Sequence, residues 1–206
     1  MLKNPKWDTD SDMNLSQHLS KATITLSDEK RLKLEQFADL LHEWNQIHNL
    51  TGAKDLETIY ENIIDSLYPV TFIGPPASLL DVGTGAGFPG MALGIYFDDT
   101  ETVLCEPLNK RAAFLKFVIM ELELKNITVA KMRVEKLQHV PFAMISSRAV
   151  TDTPLLLEIT DSVSDSHTQY LFYKGSQVFD EIKASDNQLN YAIVSRDKRN
   201  YLWIKA

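Results

Sequence analysis

The chain has one cysteine, Cys105, among 206 residues, so no internal disulfide can form. That cysteine sits in the apolar run Thr102-Val103-Leu104-Cys105, the setting of a packed strand residue rather than a nucleophile. No apolar run approaches the roughly 20 residues of a membrane helix. The start, Met1-Leu2-Lys3-Asn4-Pro5-Lys6-Trp7, lacks the apolar stretch of a secretory signal. A cytoplasmic protein with no membrane partner is expected. The histidines, His18, His42, His48, His139 and His167, show no ligand spacing with one another or with Cys105, so no metal site is expected. An excess of positive charge is missing too. With 28 acidic and 21 basic residues the net charge is −7, which argues against a protein that coats nucleic acid through bulk electrostatics. A local basic face remains open, because Lys110, Arg111, Lys116, Lys131, Arg133 and Arg148 all follow residue 100.

What is present is the composition of a globular chain, 44% hydrophobic and 24% charged, long enough for one main domain with an appendage. Residues 1–25 are polar and lack apolar periodicity, which predicts a mobile tail. Residues 26–74 read as a helical extension. Ser27 with Asp28 and Glu29 makes a cap and an acidic first turn, and Phe37, Leu40, Leu41, Trp44 and Ile47 recur at helical spacing. A second helix is predicted over residues 56–67, closed off by Pro69, Pro75 and Pro76. Residues 75–206 then alternate strand-like and helical patterns, with strands near 78–82, 102–106, 127–132, 142–146 and 169–174. This is an α/β class with a mostly parallel sheet and helices on both faces. Residues 191–195 and 201–205, joined by the polar turn 196–200, predict a closing antiparallel hairpin.

The richest stretch is Ser78-Leu79-Leu80-Asp81-Val82-Gly83-Thr84-Gly85-Ala86-Gly87-Phe88-Pro89-Gly90. An apolar strand ends in a carboxylate, enters a glycine turn and opens a helix, which predicts a nucleotide cradle with backbone amides and a helix dipole facing the ligand. Gly85-x-Gly87-x-x-Gly90 also satisfies the dinucleotide fingerprint, so a nicotinamide-dependent oxidoreductase and a noncatalytic nucleotide-binding regulator stay open. Asp81 tilts the choice. A carboxylate there suits a cation such as the ammonium of S-adenosylmethionine and is unhelpful beside a pyrophosphate. In an open parallel sheet the ligand lies at the carboxyl ends of the strands. Glu106 is placed there to reach ribose hydroxyls, Val134 and Glu135 to hold an adenine edge through a backbone amide and a carboxylate, and Arg148 to face the reacting group. Lys174-Gly175 adds a cation and a flexible point at the same edge.

In order, Asp81 to Gly90, Lys110-Arg111-x-x-Phe114-Leu115, Arg133-Val134-Glu135, Ser147-Arg148-Ala149 and Lys174-Gly175 resemble the RsmG (GidB) family of small-subunit ribosomal RNA methyltransferases. Trp44-Asn45-x-x-x-Asn49-Leu50-Thr51 and Ile63-Ile64-Asp65-Ser66-Leu67 extend the likeness over residues 27–206. The resemblance implies a class I, Rossmann-like methyltransferase fold with a seven-stranded sheet and S-adenosylmethionine as donor. It also implies transfer to N7 of one guanine in the 16S RNA of the small ribosomal subunit. A monomer is expected. Cofactor contacts carry over to Gly83, Gly85, Phe88, Val134, Glu135 and Arg148, beside Asp81 and Glu106. Arg148 and Lys174 are expected to position reactants without a general base. Three departures stand out: Glu61-Asn62 where the family has Arg-His, Ala143 for Asp, and Pro107 for Ser.

Overall fold

The computed structural model describes residues 13–184 and 189–205. Helices α1 (Leu15–Lys21), α2 (Asp28–His48) and α3 (Leu56–Leu67) lead into β1 (Ser78–Val82), α4 (Gly90–Tyr96), β2 (Glu101–Cys105) and α5 (Asn109–Glu121). There follow β3 (Ile127–Ala130), β4 (Met144–Arg148), α6 (Thr153–Thr160), β5 (Gln169–Lys174), α7 (Val178–Ala184), β6 (Tyr191–Arg196) and β7 (Arg199–Ile204). The strands form one sheet in the order β3-β2-β1-β4-β5-β7-β6. β1 pairs in parallel with β2 and β4, while β7 runs antiparallel to β5 and β6. Chain order reverses between β1 and β4, so their carboxyl ends open onto the crevice where such sheets take ligands.

Alternation along the buried strands decides which helices go where. Leu79, Leu104 and Leu171 point into a core with the first five helices. Their neighbours Leu80, Val103 and Phe172 point the other way, under the turn at 134–136 and under α6 and α7. The core on the first face runs unbroken from Leu15 and Leu34 to Tyr201, so the N-terminal helices and the sheet share one interior.

Several predicted boundaries move. Residues 1–12 of the expected tail lie outside the described residues, but residues 15–21 are helical. Asn14 and Gln17 cap α1 reciprocally at 3.0 and 2.9 Å, and Leu15 and Leu19 are buried. A seven-residue helix is too short to show a period, and the Asn and Ser that read as disorder here serve as a cap. The fourth strand starts at Met144 rather than 142. The Phe142 amide bonds to the Val163 carbonyl and the Ala143 amide to the Ser78 hydroxyl, so neither joins the ladder. The closing turn is shorter than predicted because Arg196 pairs with Arg199 and Asp197 takes a left-handed φ of 52°.

Phe37 of α2 shows how the extension bears on the crevice. It is fully buried, 5.4 Å from the Phe88 ring and 6.4 Å from the Phe114 ring. Phe37→Ala should lower stability by about 3–5 kcal/mol, read as a fall in the urea midpoint with an unchanged slope.

Candidate active site

The glycine turn is closed from inside. Gly83 has φ +66°, and a Cβ there would stand 2.6 Å from Val150 Cγ2, so the Val150 side chain of the loop after β4 packs directly on the turn after β1. At Gly90 a Cβ would fall 2.5 Å from the Cβ of Asp81. That closeness lets the Gly90 amide donate to Asp81 Oδ2 at 2.8 Å, while the Ser146 hydroxyl donates to Oδ1 at 2.8 Å. Asp81 is 0% exposed. Burial pushes its carboxyl up to about 6, against the pull of the nearby Thr84 hydroxyl, of hydrogen bonds from Ser146 and Gly90 and of the Arg148 charge. Asp81 was expected to meet a cationic ligand group directly. Instead it caps α4 and ties β1 to β4, because the helix start comes close enough to claim the carboxylate first.

Glu106 behaves in a similar way. It stands one residue past the end of β2, which was expected to include it, and is 2% exposed; its oxygens accept from the Gly85 amide at 3.0 Å and the Leu108 amide at 2.8 Å. The amides of Gly83 and Thr84 donate to the Cys105 carbonyl, and those of Gly87 and Phe88 to the Thr84 carbonyl. The loop therefore does not present a row of free amides and a bare helix dipole, as the glycine spacing suggested. The Glu106 carboxylate holds the Gly85 amide that a pyrophosphate would need as a donor, and anion on anion is repulsive. The cradle still has room. A Cβ on Gly85 would meet only the Gly83 carbonyl oxygen, at 3.9 Å, and the buried Thr84 hydroxyl has no hydrogen-bond partner. A ligand with a ribose for Glu106 and a cationic centre fits this ring of acceptors.

Val134 is buried in the turn after β3 and Glu135 is exposed beside it. Phe88 is buried, with the Arg148 guanidinium 4.9 Å from its ring centroid. Arg148 is the last residue of β4, and Ala149 turns the chain with φ 56°. Its Nη1 donates to Asn62 Oδ1 at 3.0 Å and to Asp65 Oδ2 at 3.1 Å, both on α3. The other Asp65 oxygen accepts from Arg199 Nε at 2.9 Å and from the Tyr201 hydroxyl at 3.0 Å. One carboxylate thus gathers the extension, the end of β4 and the closing hairpin. Sequence reasoning gave Asp65 no role. The signal was a carboxylate inside the apolar run 63–67, which needs partners when half-buried.

Lys174 does not project freely into the crevice. Its ammonium donates to Glu181 Oε2 at 2.8 Å and to the Thr151 carbonyl at 3.0 Å. Burial raises the Glu181 carboxyl, but hydrogen bonds from Lys174 and Thr153 outweigh it and hold it below the usual range. Lys174 thereby pins the loop after β4. Cys105 is buried, and burial pushes its thiol up to about 12, so it stays a neutral packing group. Among the described residues, no group of three or more His, Cys, Asp or Glu is placed to hold a metal ion.

The strand order, the switch-point crevice and the closing antiparallel hairpin are those of a class I methyltransferase fold. Solved structures agree on the fold. A precorrin-6y C5,15-methyltransferase from Geobacter metallireducens matches with TM-score 0.53 at 10% identity, over 78% of this chain and 95% of that one. A mutant of MtNAS in complex with S-adenosylmethionine matches with TM-score 0.57 at 11% identity, over 93% and 83%. The family model described as rRNA small subunit methyltransferase G matches residues 30–200. Proteins named ribosomal RNA small subunit methyltransferase G are 48% identical in Aliarcobacter butzleri, over 84% of this chain and 88% of theirs, and 42% identical in Wolinella succinogenes, over 92% and 97%. The chain belongs to the rRNA small subunit methyltransferase G family.

The buried Asp81 makes stability depend on pH. Its folded pKa lies above its unfolded value, so the folded state binds the proton more tightly. That contribution is fully present below about 4 and is lost as pH rises through about 6, roughly 3 kcal/mol in all. Asp81→Asn removes the titration. The stability difference between wild type and Asp81→Asn in urea should therefore change between pH 4 and 6 and level off above.

Proposed function

We propose that the chain transfers a methyl group from S-adenosylmethionine to N7 of one guanine in 16S ribosomal RNA within the small subunit. The observation that carries this reading is the pair of carboxylates, Asp81 and Glu106, closing the glycine turn in a chain of this family. Bound in the crevice, the cofactor supplies an electrophilic sulfonium methyl. Gly83, Gly85 and Phe88 shape its wall, Glu106 takes the ribose hydroxyls, and Val134 and Glu135 hold the adenine edge.

Guanine N7 carries an in-plane lone pair, so no proton has to leave before attack and no general base is required. The work left to the protein is positional: nucleophile and methyl in line at about 3–3.5 Å, with water excluded. A bidentate arginine on guanine O6 and N7 would mask the atom to be methylated. Arg148 is assigned instead to an anion of the complex, the cofactor carboxylate or an RNA phosphate. Asn62 and Asp65 on one side and the Phe88 ring on the other hold its guanidinium in one place. Lys174 contributes one step removed, by fixing the loop that carries Val150 against Gly83.

An acidic chain has little charge to spend on RNA of arbitrary sequence. The substrate is therefore a shaped ribonucleoprotein surface, read by stacking and placed phosphate contacts. The protein is taken to act as a cytoplasmic monomer. Among the described residues, no helix is long and apolar enough to cross a membrane.

The test is methyl transfer to small subunits from cells lacking the protein, followed by mapping of N7-methylguanine. Methylation at another atom would overturn the assignment. Calorimetry should show S-adenosylmethionine binding that NAD does not displace. Arg148→Ala should lower kcat/KM by about 10- to 100-fold, the worth of one charge-assisted hydrogen bond. Asp65→Asn should give a smaller loss of the same kind, and none in the Arg148→Ala background. A short naked RNA should be methylated far more slowly than intact subunits in the same assay.

A further inference from the structure

We infer that the rim formed by the loops after β2 and β3 is the surface that grips the phosphates of the RNA flanking the target base. The inference deepens the reading above and rests on small-subunit RNA being the substrate. Its first support is where the unpaired cations lie. Ion pairs among the described residues take up Lys30, Arg31, Lys33, Arg111, Arg148, Lys174, Arg196 and Arg199. Of the exposed lysines and arginines outside those pairs, seven lie elsewhere along the chain from Lys21 to Lys205, whereas Lys110, Lys131, Arg133 and Lys136 fall together. These four sit just past the carboxyl ends of the adjacent parallel strands β2 and β3. In a chain of net charge −7, unpaired cations gathered at one corner of the crevice make a local attractor for phosphate.

The second support is that one of these cations is placed against local stability. Lys110 stands in the first turn of α5, which holds no acidic residue, while its neighbour Arg111 lies 4.0 Å from Glu106. A cation there opposes the helix dipole. A solvated helix face gains nothing from that arrangement; a phosphate over the helix start would reverse the sign. The third is apolar exposure within the same corner. Leu108 is 55% and Met132 37% exposed, and each lies beside one of these cations, as contacts to unstacked bases require.

Geometry sets what the rim can do. Arg148 ends β4, which is three strand positions from β3, roughly 14 Å. The rim therefore does not touch the reacting base but holds the strand a few nucleotides away. It contributes to RNA affinity and leaves the chemical step alone.

The experiment compares two triple variants that remove equal charge: Lys110→Ala with Lys131→Ala and Arg133→Ala, and Lys125→Ala with Lys183→Ala and Lys205→Ala. The second set is also exposed, but away from the carboxyl ends of the parallel strands. The rim triple should raise KM for small subunits at least tenfold, with kcat and the dissociation constant of S-adenosylmethionine unchanged. It should also flatten the slope of log KM against log salt by about 0.7–0.9 for each phosphate no longer held. The second triple should leave KM within twofold. Lys110→Arg with Lys131→Arg and Arg133→Lys, which keeps the charge, should keep KM. Equal weakening by both triples would reduce the effect to net charge and overturn the inference. So would an unchanged KM in the rim triple, or a loss of cofactor binding by it. If wild-type protein methylates no small subunit, the substrate reading fails, and that result is separate from either triple.

Discussion

The structure hangs on carboxylates that act inside the fold before they act on anything else. Asp81 binds the first amide of α4 and the Ser146 hydroxyl, so β1, α4 and β4 meet at one buried group. Glu106 holds the Gly85 amide from the next strand over. A glycine-rich turn is entropically loose and would sample many shapes if left alone. Two fixed acceptors select one of those shapes.

The helices that precede the sheet belong to the same construction. α2 reaches the loop through Phe37 and Phe88, and α3 reaches the end of β4 through Asn62 and Asp65. Packing a helical extension into the sheet's own core makes it part of the wall rather than an ornament on the outside. Asn62 supplies a neutral acceptor for Arg148 beside the Asp65 carboxylate.

Much of the fold could be read from the chain because its signals are local. Alternation at Leu79 and Leu80, the Ser27 cap and the spacing of Phe37, Leu41 and Trp44 each report a period or a cap within a few residues. The family likeness was legible for the same reason, since its motifs are short runs. What escaped depends on distance in the chain. Residues 65, 148, 199 and 201 meet in one network that no short window contains. Asp81, Glu106 and Lys174 stand at strand ends as their spacing implies, yet their partners lie inside the fold. Nothing in a strand-end carboxylate or lysine says whether a backbone amide or a neighbouring acid will claim it first. The start of β4 slipped by two residues because Phe142 and Ala143 look like strand and bond elsewhere.

The meeting of three remote segments at Asp65 has a consequence for how this chain tolerates change over generations. Substitutions that disturb Arg148 need not lie near it in the chain. A fault in the hairpin near the far end of the chain, or in a helix well before the first strand, reaches Arg148 through the same carboxylate. Drift in any one of these segments is therefore constrained by the other two, although many residues separate them.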